Sequence, residues 1–196
     1  MGNTGSMTSA DELNEQYDAD GSVTQVPERN DEVHAGESAV AQSRESAVTI
    51  PAGTVVLAAT PIGNVGDASA RLVALLERAD IVAAEDTRRL YDLARRLGVY
   101  VNGRVIAYHD HNERDKADGL LDQVETGATV LVVSDAGMPT INDPGLAIVR
   151  RAIERGLPVT CAPGPSAVLD ALALSGLPTD RFCYEGFLPR KHSERV

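Results

Sequence analysis

The chain has 196 residues, a length that fits one domain or one and part of a second. It carries 18 Lys and Arg against 29 Asp and Glu, a formal net charge of −11, which argues against a generic nucleic-acid coat. The hydrophobic fraction of 43% supports a real core, yet no apolar run approaches the ~18–20 residues that span a bilayer.

The charge is unevenly spread. Residues 1–50 hold ten acids against two bases, Arg29 and Arg44, while residues 51–196 hold 19 acids against 16 bases. The first segment has one aromatic residue, Tyr17, and scattered aliphatics. Such a composition offers too little apolar surface to offset the entropy of ordering, so 1–50 is expected to be a disordered acidic tail. Its opening lacks a basic stretch followed by an apolar one, so no secretory leader is expected. Cys161 and Cys183 are too few for a disulfide framework. Their apolar surroundings predict reduced core positions in a cytoplasmic protein.

From residue 51 the pattern alternates. Residues 54–59 are apolar and β-branched, as in a buried parallel strand. Leu72, Val73, Leu75, Leu76 and Ala79 then repeat at helical spacing, with Asp67 or Ser69 as N-cap. Residues 81–84 predict a second strand. Leu90, Leu93, Ala94 and Leu97 mark a second helix that Gly98 closes. A third strand follows at 105–108, then a helix through Ala117, Leu120, Leu121 and Val124. Residues 129–133 are the clearest strand. A helix over 144–156 places Pro144 at its first position. A fifth strand over 158–161 precedes a small-residue helix over 165–174. This alternation predicts an α/β fold with a parallel sheet and helices on both faces. Ligands then bind beyond the carboxyl ends of the strands.

The loops at those ends carry the unusual residues. After the first strand, 60–66 reads TPIGNVG, where glycines permit close approach of a ligand to backbone amides. After the second, Glu85, Asp86, Thr87, Arg88 and Arg89 either position a polar substrate or cap the next helix. After the third comes His109, Asp110, His111, Asn112 and Glu113, suited to substrate binding or proton handling. No C-x-x-C or H-E-x-x-H partner accompanies it, so no metal centre is expected. After the fourth, 134–145 is long and rich in Gly, Pro and Asp, and is the strongest site candidate. Residues 163–167 place amides at the start of the last helix.

Six ordered segments carry a resemblance: ATPIGN at 59–64, AAEDTR at 83–88, YHDHNE at 108–113, VSDAGMPTINDPG at 133–145, PGPSAV at 163–168 and GLPTDRFCYEGFLPRK at 176–191. Together they resemble the tetrapyrrole-methylase-like, or class III, S-adenosylmethionine-dependent methyltransferases. More narrowly they resemble the ribosomal RNA small subunit methyltransferase I family. Met138 and Asn142 stand where that family commonly has threonine and serine.

The resemblance implies a tetrapyrrole methylase fold of two α/β domains, with residues 51–178 forming the N-terminal one. It implies that 179–196 only begin the second, from an opening strand, so that the chain is a fragment or a truncation. It implies S-adenosyl-L-methionine as cofactor and methylation of the 2′-hydroxyl of a cytidine in the decoding region of 16S rRNA. It further implies a cytoplasmic homodimer acting on the small ribosomal subunit. Residues Pro61, Ile62, Gly63, Asp135, Ala136, Gly137, Pro139, Ser166 and Ala167 lie where the family contacts the cofactor. Glu85, Arg88, His111, Asn112 and Glu113 lie on neighbouring loops suited to RNA. His109 is the first choice for a catalytic base, beside alignment without a dedicated base. The alternatives are a methylase of a tetrapyrrole precursor on the same fold, or an inactive fragment that only binds ligand.

Overall fold

The computed structural model describes residues 48–189 and 191; the expected tail over 1–50 lies almost wholly outside them. Five strands form: β1 Val55–Ala58, β2 Ile81–Ala84, β3 Arg104–Ala107, β4 Val130–Val133 and β5 Val159–Ala162. They alternate with α1 Ala70–Arg78, α2 Thr87–Leu97, α3 Glu113–Glu125, α4 Leu146–Glu154 and α5 Ala167–Leu174. All strand pairs are parallel, in the order β3-β2-β4-β1-β5. Every residue of β1, β2 and β4 is buried, because these strands lie inside the sheet and have helices on both faces.

Successive side chains of a strand point to opposite faces, and the core divides accordingly. Val55, Leu57, Ile81, Ala83, Val130 and Val132 pack against Leu120, Leu121 and Val124 of α3 and Ile148 and Ala152 of α4. Val56, Ala58, Val82, Ala84, Leu131 and Val133 pack against Leu72, Leu75 and Leu76 of α1 and Leu90 of α2. Each fully buried leucine of α1 contributes roughly 1.5–3 kcal/mol. Among the described residues, no helix is long and apolar enough to cross a membrane.

Several local expectations change. Ser69, not Asp67, caps α1, its hydroxyl accepting from Leu72 N–H at 3.0 Å. Gly98 closes α2 in the left-handed conformation, as expected. The fourth helix begins at Leu146 rather than at Pro144, because Gly145 stands at φ +130° and interrupts the helical path. Cys161 and Cys183 are both exposed, not core. Only Ala162 is buried in the edge strand β5, and Cys183 lies on a segment outside the sheet, its thiol against Glu185. The strand expected to open a second domain is not formed over 179–189, where no neighbouring strand supplies a ladder of hydrogen bonds.

Candidate active site

The connections β1 to β2 and β2 to β3 run one way along the sheet; β3 to β4 and β4 to β5 run the other. Right-handed crossovers therefore put α1 and α2 on one face and α3 and α4 on the opposite face. The chain leaving β4 turns to the face opposite that taken by its neighbours from β1 and β2. Loops diverge there and leave a crevice, the place where such sheets bind ligands. The long loop after β4 sits at that crevice.

Its position is set by backbone pairing with the β1 loop. Thr60 N–H donates to Gly137 C=O at 2.9 Å, and Gly137 N–H donates to Thr60 C=O at 3.0 Å. The Thr60 hydroxyl, buried, donates to Ser134 C=O at 3.2 Å. Gly137 adopts φ +84°, with Ile62 Cγ2 at 3.6 Å from where a Cβ would stand. Farther on, Thr140 and Asn142 hold φ of +76° and +61°, a region that non-glycine residues seldom adopt. Surrounding contacts sustain that strain, as at many functional loops. Asn142 hydrogen-bonds the Tyr184 hydroxyl, and its amide stands beside Gly186.

Acidic side chains gather at the β2, β3 and β4 ends. Asp135 N–H donates to Glu85 Oε2 at 3.2 Å, and Asp86 N–H donates to Asp135 Oδ1 at 3.2 Å. Arg89 Nη1 lies 3.3 Å from Asp135 Oδ2. Burial pushes the Glu85 carboxyl up from its ordinary value; the Asp135 N–H opposes this, and the charges of Asp135, Asp143 and Asp110 reinforce it. Asp143 is raised chiefly by burial, with Asp135 and Asp110 adding to it. Asp86 goes the other way, to about 2, because Arg88 forks onto it with bonds of 3.1 and 2.8 Å. Crowded carboxylates with shifted ionisation in a loop at the strand ends mark this corner as the functional-site candidate.

Two hollows lie along the β1 and β4 loops. One, of about 400 Å³, is largely apolar and lined by Met138, Ile141, Pro163, Ser166, Phe182 and Tyr184. Gly164 is part of its wall: a Cβ there would stand 3.1 Å from Ala59 Cβ. The other, of about 210 Å³, is polar and lined by Pro61, Gly63, Arg89, Asp92, Arg96 and Asp135 among others. The residues expected to contact a cofactor are thus shared between two spaces. Ser166 faces the apolar one, while Pro61, Gly63 and Asp135 face the polar one. Ile62 and Ala136 are exposed at the rim, Ala167 is exposed in the first turn of α5, and Gly137 and Pro139 are buried beneath the loop.

The residues expected on the RNA side divide too. Arg88 and His111 face solvent. Glu113 accepts from Gly145 N–H at 2.8 Å, which satisfies the uncapped start of α4. Asn112 precedes α3 but makes no capping bond; its Oδ1 accepts from His109 N–H at 3.0 Å. That bond orients the amide, so Nδ2 faces Ala107 C=O at 3.3 Å and His109 Nε2 at 2.9 Å. Nε2 thus faces the Asn112 amide, while Nδ1 is buried without a hydrogen-bond partner. The nitrogen that a general base would need is occupied by Asn112. The ring packs against its own loop, with His111 edge-on at 5.9 Å.

Tyr108, at the end of the third expected strand, has a buried hydroxyl that is held far above its ordinary titration range, chiefly by burial and further by the Glu113 charge. Sequence reasoning gave it no place in the site. It also missed the apolar lining from Met138, Ile141, Phe182 and Tyr184. In a chain with only two phenylalanines and five tyrosines, aromatics in an irregular segment were the available signal.

The β4 loop thus lends Met138 and Ile141 to an apolar cleft and Asp135 to a polar hollow, a pairing that suits a ligand with an apolar ring and a cationic group. Known proteins with this sequence pattern are methyltransferases by name. The chain is 54% identical over 143 residues to the ribosomal RNA small subunit methyltransferase I of Mycobacterium tuberculosis, covering 73% of this chain and 50% of that protein. It is 48% identical over 143 residues to the protein of that name from Escherichia coli O157:H7, covering 73% and 49%. The Vibrio cholerae protein of that name is 43% identical over 149 residues, covering 75% and 51%. The chain thus spans about half the length of the curated relatives it matches. Residues 54–195 match the family model of the tetrapyrrole (corrin/porphyrin) methylases, a stretch that takes in all five strands and every loop of the crevice. With that match over a five-stranded parallel sheet, the chain belongs to the tetrapyrrole methylase family.

Proposed function

We propose that the protein is an S-adenosylmethionine-dependent methyltransferase acting on the 2′-hydroxyl of a cytidine in the decoding region of 16S ribosomal RNA. It works in the cytoplasm on the small ribosomal subunit, as a homodimer. The observation that carries this reading is the β4 loop, which brings Asp135 and Asp143 near Glu85 and Asp110 and also supplies Met138 and Ile141 to the apolar cleft. Like charges in a half-buried site are unfavourable alone and become favourable beside a cation. The relatives' names support a ribosomal RNA substrate.

S-adenosylmethionine fits this chemistry. Its sulfonium and ammonium charges match the carboxylates, and its adenine matches the apolar cleft. Gly63 leaves open space, with no atom within 4 Å of where a Cβ would stand. Asp135 and Glu85 would hold the charged end, and Met138, Ile141, Ser166 and Tyr184 the adenosyl end. When bound, the cofactor supplies an electrophilic methyl group.

The residues of this chain orient and shield. The Thr60–Gly137 bridge holds the β1 and β4 loops at a fixed spacing, and the strained 140–142 turn closes one side of the cleft. Alignment of a hydroxyl with a reactive carbon supplies much of the acceleration in such a displacement. With His109 Nε2 engaged by Asn112, the ribose proton leaves to solvent, and the rate rests on alignment.

Two measurements test the proposal. Calorimetric titration should show S-adenosylmethionine binding. Incubation with isolated small ribosomal subunits and a methyl-labelled donor should place the label in an alkali-resistant dinucleotide containing cytidine, since a 2′-O-methyl group blocks backbone cleavage. Label on a base, or none on RNA despite bound donor, would refute the assignment.

A further inference from the structure

The chain is strongly acidic, yet α2 is its opposite. Its eleven residues carry four arginines and one aspartate, +3 in a chain of −11. Only Leu90 and Ala94 of α2 are buried, so the arginines share its outer surface. Arg88, Arg89 and Arg95 lean on Asp86, Asp135 and Asp92, and their side chains are 67–90% exposed. Pairs so exposed are weak, about 0–1 kcal/mol, and can exchange their carboxylate for another anion. Arg96 has no ion pair or hydrogen bond among the described residues, and it lines the polar hollow with Arg89, Leu93 and the Pro61–Gly63 edge. Arg89, Leu93 and Arg96 lie at i, i+4 and i+7, one stripe of the helix. Arg88, Tyr91 and Arg95 form the adjoining stripe, with Tyr91 54% exposed. Cations with an exposed aromatic ring among them make a surface suited to a strand that offers phosphates and flat bases.

We infer that the outer face of α2, edged by the Arg89–Arg96 stripe on one side and the Arg88–Tyr91–Arg95 stripe on the other, is the track on which an RNA strand lies as it enters the crevice. The helix starts at the site, because Asp86 caps it and donates its backbone N–H to Asp135. A strand following α2 toward its first turn therefore arrives beside Asp135 and Gly63, where the charged end of the cofactor would lie, while the adenosyl end would lie in the apolar cleft. This placement rests on the proposed RNA substrate.

The test uses the 196-residue chain and a fluorescein-labelled single-stranded RNA of the decoding-region sequence, titrated by anisotropy at several KCl concentrations. Arg96→Ala should reduce the slope of log K against log salt by about 0.7, one phosphate contact on a single strand. Tyr91→Ala should weaken binding at least about fivefold with the slope unchanged, because stacking releases no counterions. Arg150→Ala, exposed on α4 at the opposite face of the sheet, should change neither. If Arg96→Ala lowers the melting temperature, Arg96→Gln carries the same prediction. Wild-type slope and affinity in both α2 variants would overturn the inference alone and leave this face to a protein partner. Absence of salt-dependent RNA binding by a wild-type chain that still binds S-adenosylmethionine would overturn it together with the RNA substrate.

Discussion

Glu85 and Asp135 cap one another's loops: the Glu85 carboxylate accepts the Asp135 N–H, while the Asp135 carboxylate accepts the N–H of Asp86, each at 3.2 Å. Two like charges thus stand together because each satisfies a backbone donor that the neighbouring strand end leaves open. The arrangement locks the β2 and β4 loops and leaves the acids crowded.

That crowding predicts a pH effect. Glu85 is raised from 4.5 and Asp143 from 3.8, each mainly by burial, so the fold binds these protons more tightly than the unfolded chain does. Their contribution to stability is full below the unfolded values and is lost as pH rises through the folded ones. Glu85→Gln keeps an oxygen for the Asp135 N–H and removes the charge. It should raise the melting temperature at pH 7 and reduce the gain the wild type shows on acidification toward pH 5. Thermal melts at both pH values decide it; a lower melting temperature at pH 7 with an unaltered pH response would count against the account.

Asp135→Ala should affect both stability and cofactor binding. The lost charge-assisted bond to Asp86 N–H costs about 1.5–3 kcal/mol. The Arg89 pair, two-thirds exposed on the arginine side, adds little. Affinity for S-adenosylmethionine should fall roughly tenfold to hundredfold. Asp135→Asn, which keeps an acceptor oxygen, should recover most of the stability and little of the affinity. Calorimetry on the folded variants separates the two roles, and equal affinity in all three proteins would remove Asp135 from the cofactor site.

His109→Ala and Arg88→Ala should differ in kind. With Nε2 held by Asn112, the ring braces the loop, so His109→Ala should lower turnover on small subunits by less than about tenfold and leave its pH profile unchanged. A loss of roughly 10²–10⁴ with an altered profile would restore it as the base. Arg88 is exposed and paired only with Asp86, so its loss should raise KM for RNA, flatten the salt dependence and spare cofactor affinity.

Gly103→Ala should destabilise the fold without touching the site. A Cβ at Gly103 would stand 2.2 Å from Ala79 C=O and 2.9 Å from Asp80 C=O, so the start of β3 must shift off the turn before β2. The Arg104 N–H bond to Asp80 C=O at 2.9 Å belongs to that junction. The expected loss is about 1–3 kcal/mol, read from denaturant midpoints. A midpoint equal to that of the wild type would show that the junction yields freely.

Every strand and α-helix over 54–174 was legible in the sequence, because apolar periodicity and glycine or proline punctuation are local; the short 3-10 turn Val65–Asp67 reads as loop. The runs 54–59, 81–84 and 129–133 were continuously apolar for the reason later seen, burial on both faces. Their alternation also placed the chemistry in the loops after the strands. What local pattern does not encode is the order of pairing. The sequence β3-β2-β4-β1-β5 puts the β4 loop between its neighbours and makes Thr60 meet Gly137. Nor does it encode which polar side chains are taken up internally. Asn112, Glu113 and Glu85 read as groups for a substrate, and each satisfies a backbone donor brought close by folding. Cys161 read as core from its apolar neighbours and is exposed, because its strand lies at the sheet edge. Composition and spacing determine what a segment becomes; which donor lies beside which acceptor depends on distances between segments far apart in the chain, and those exist only once it has folded.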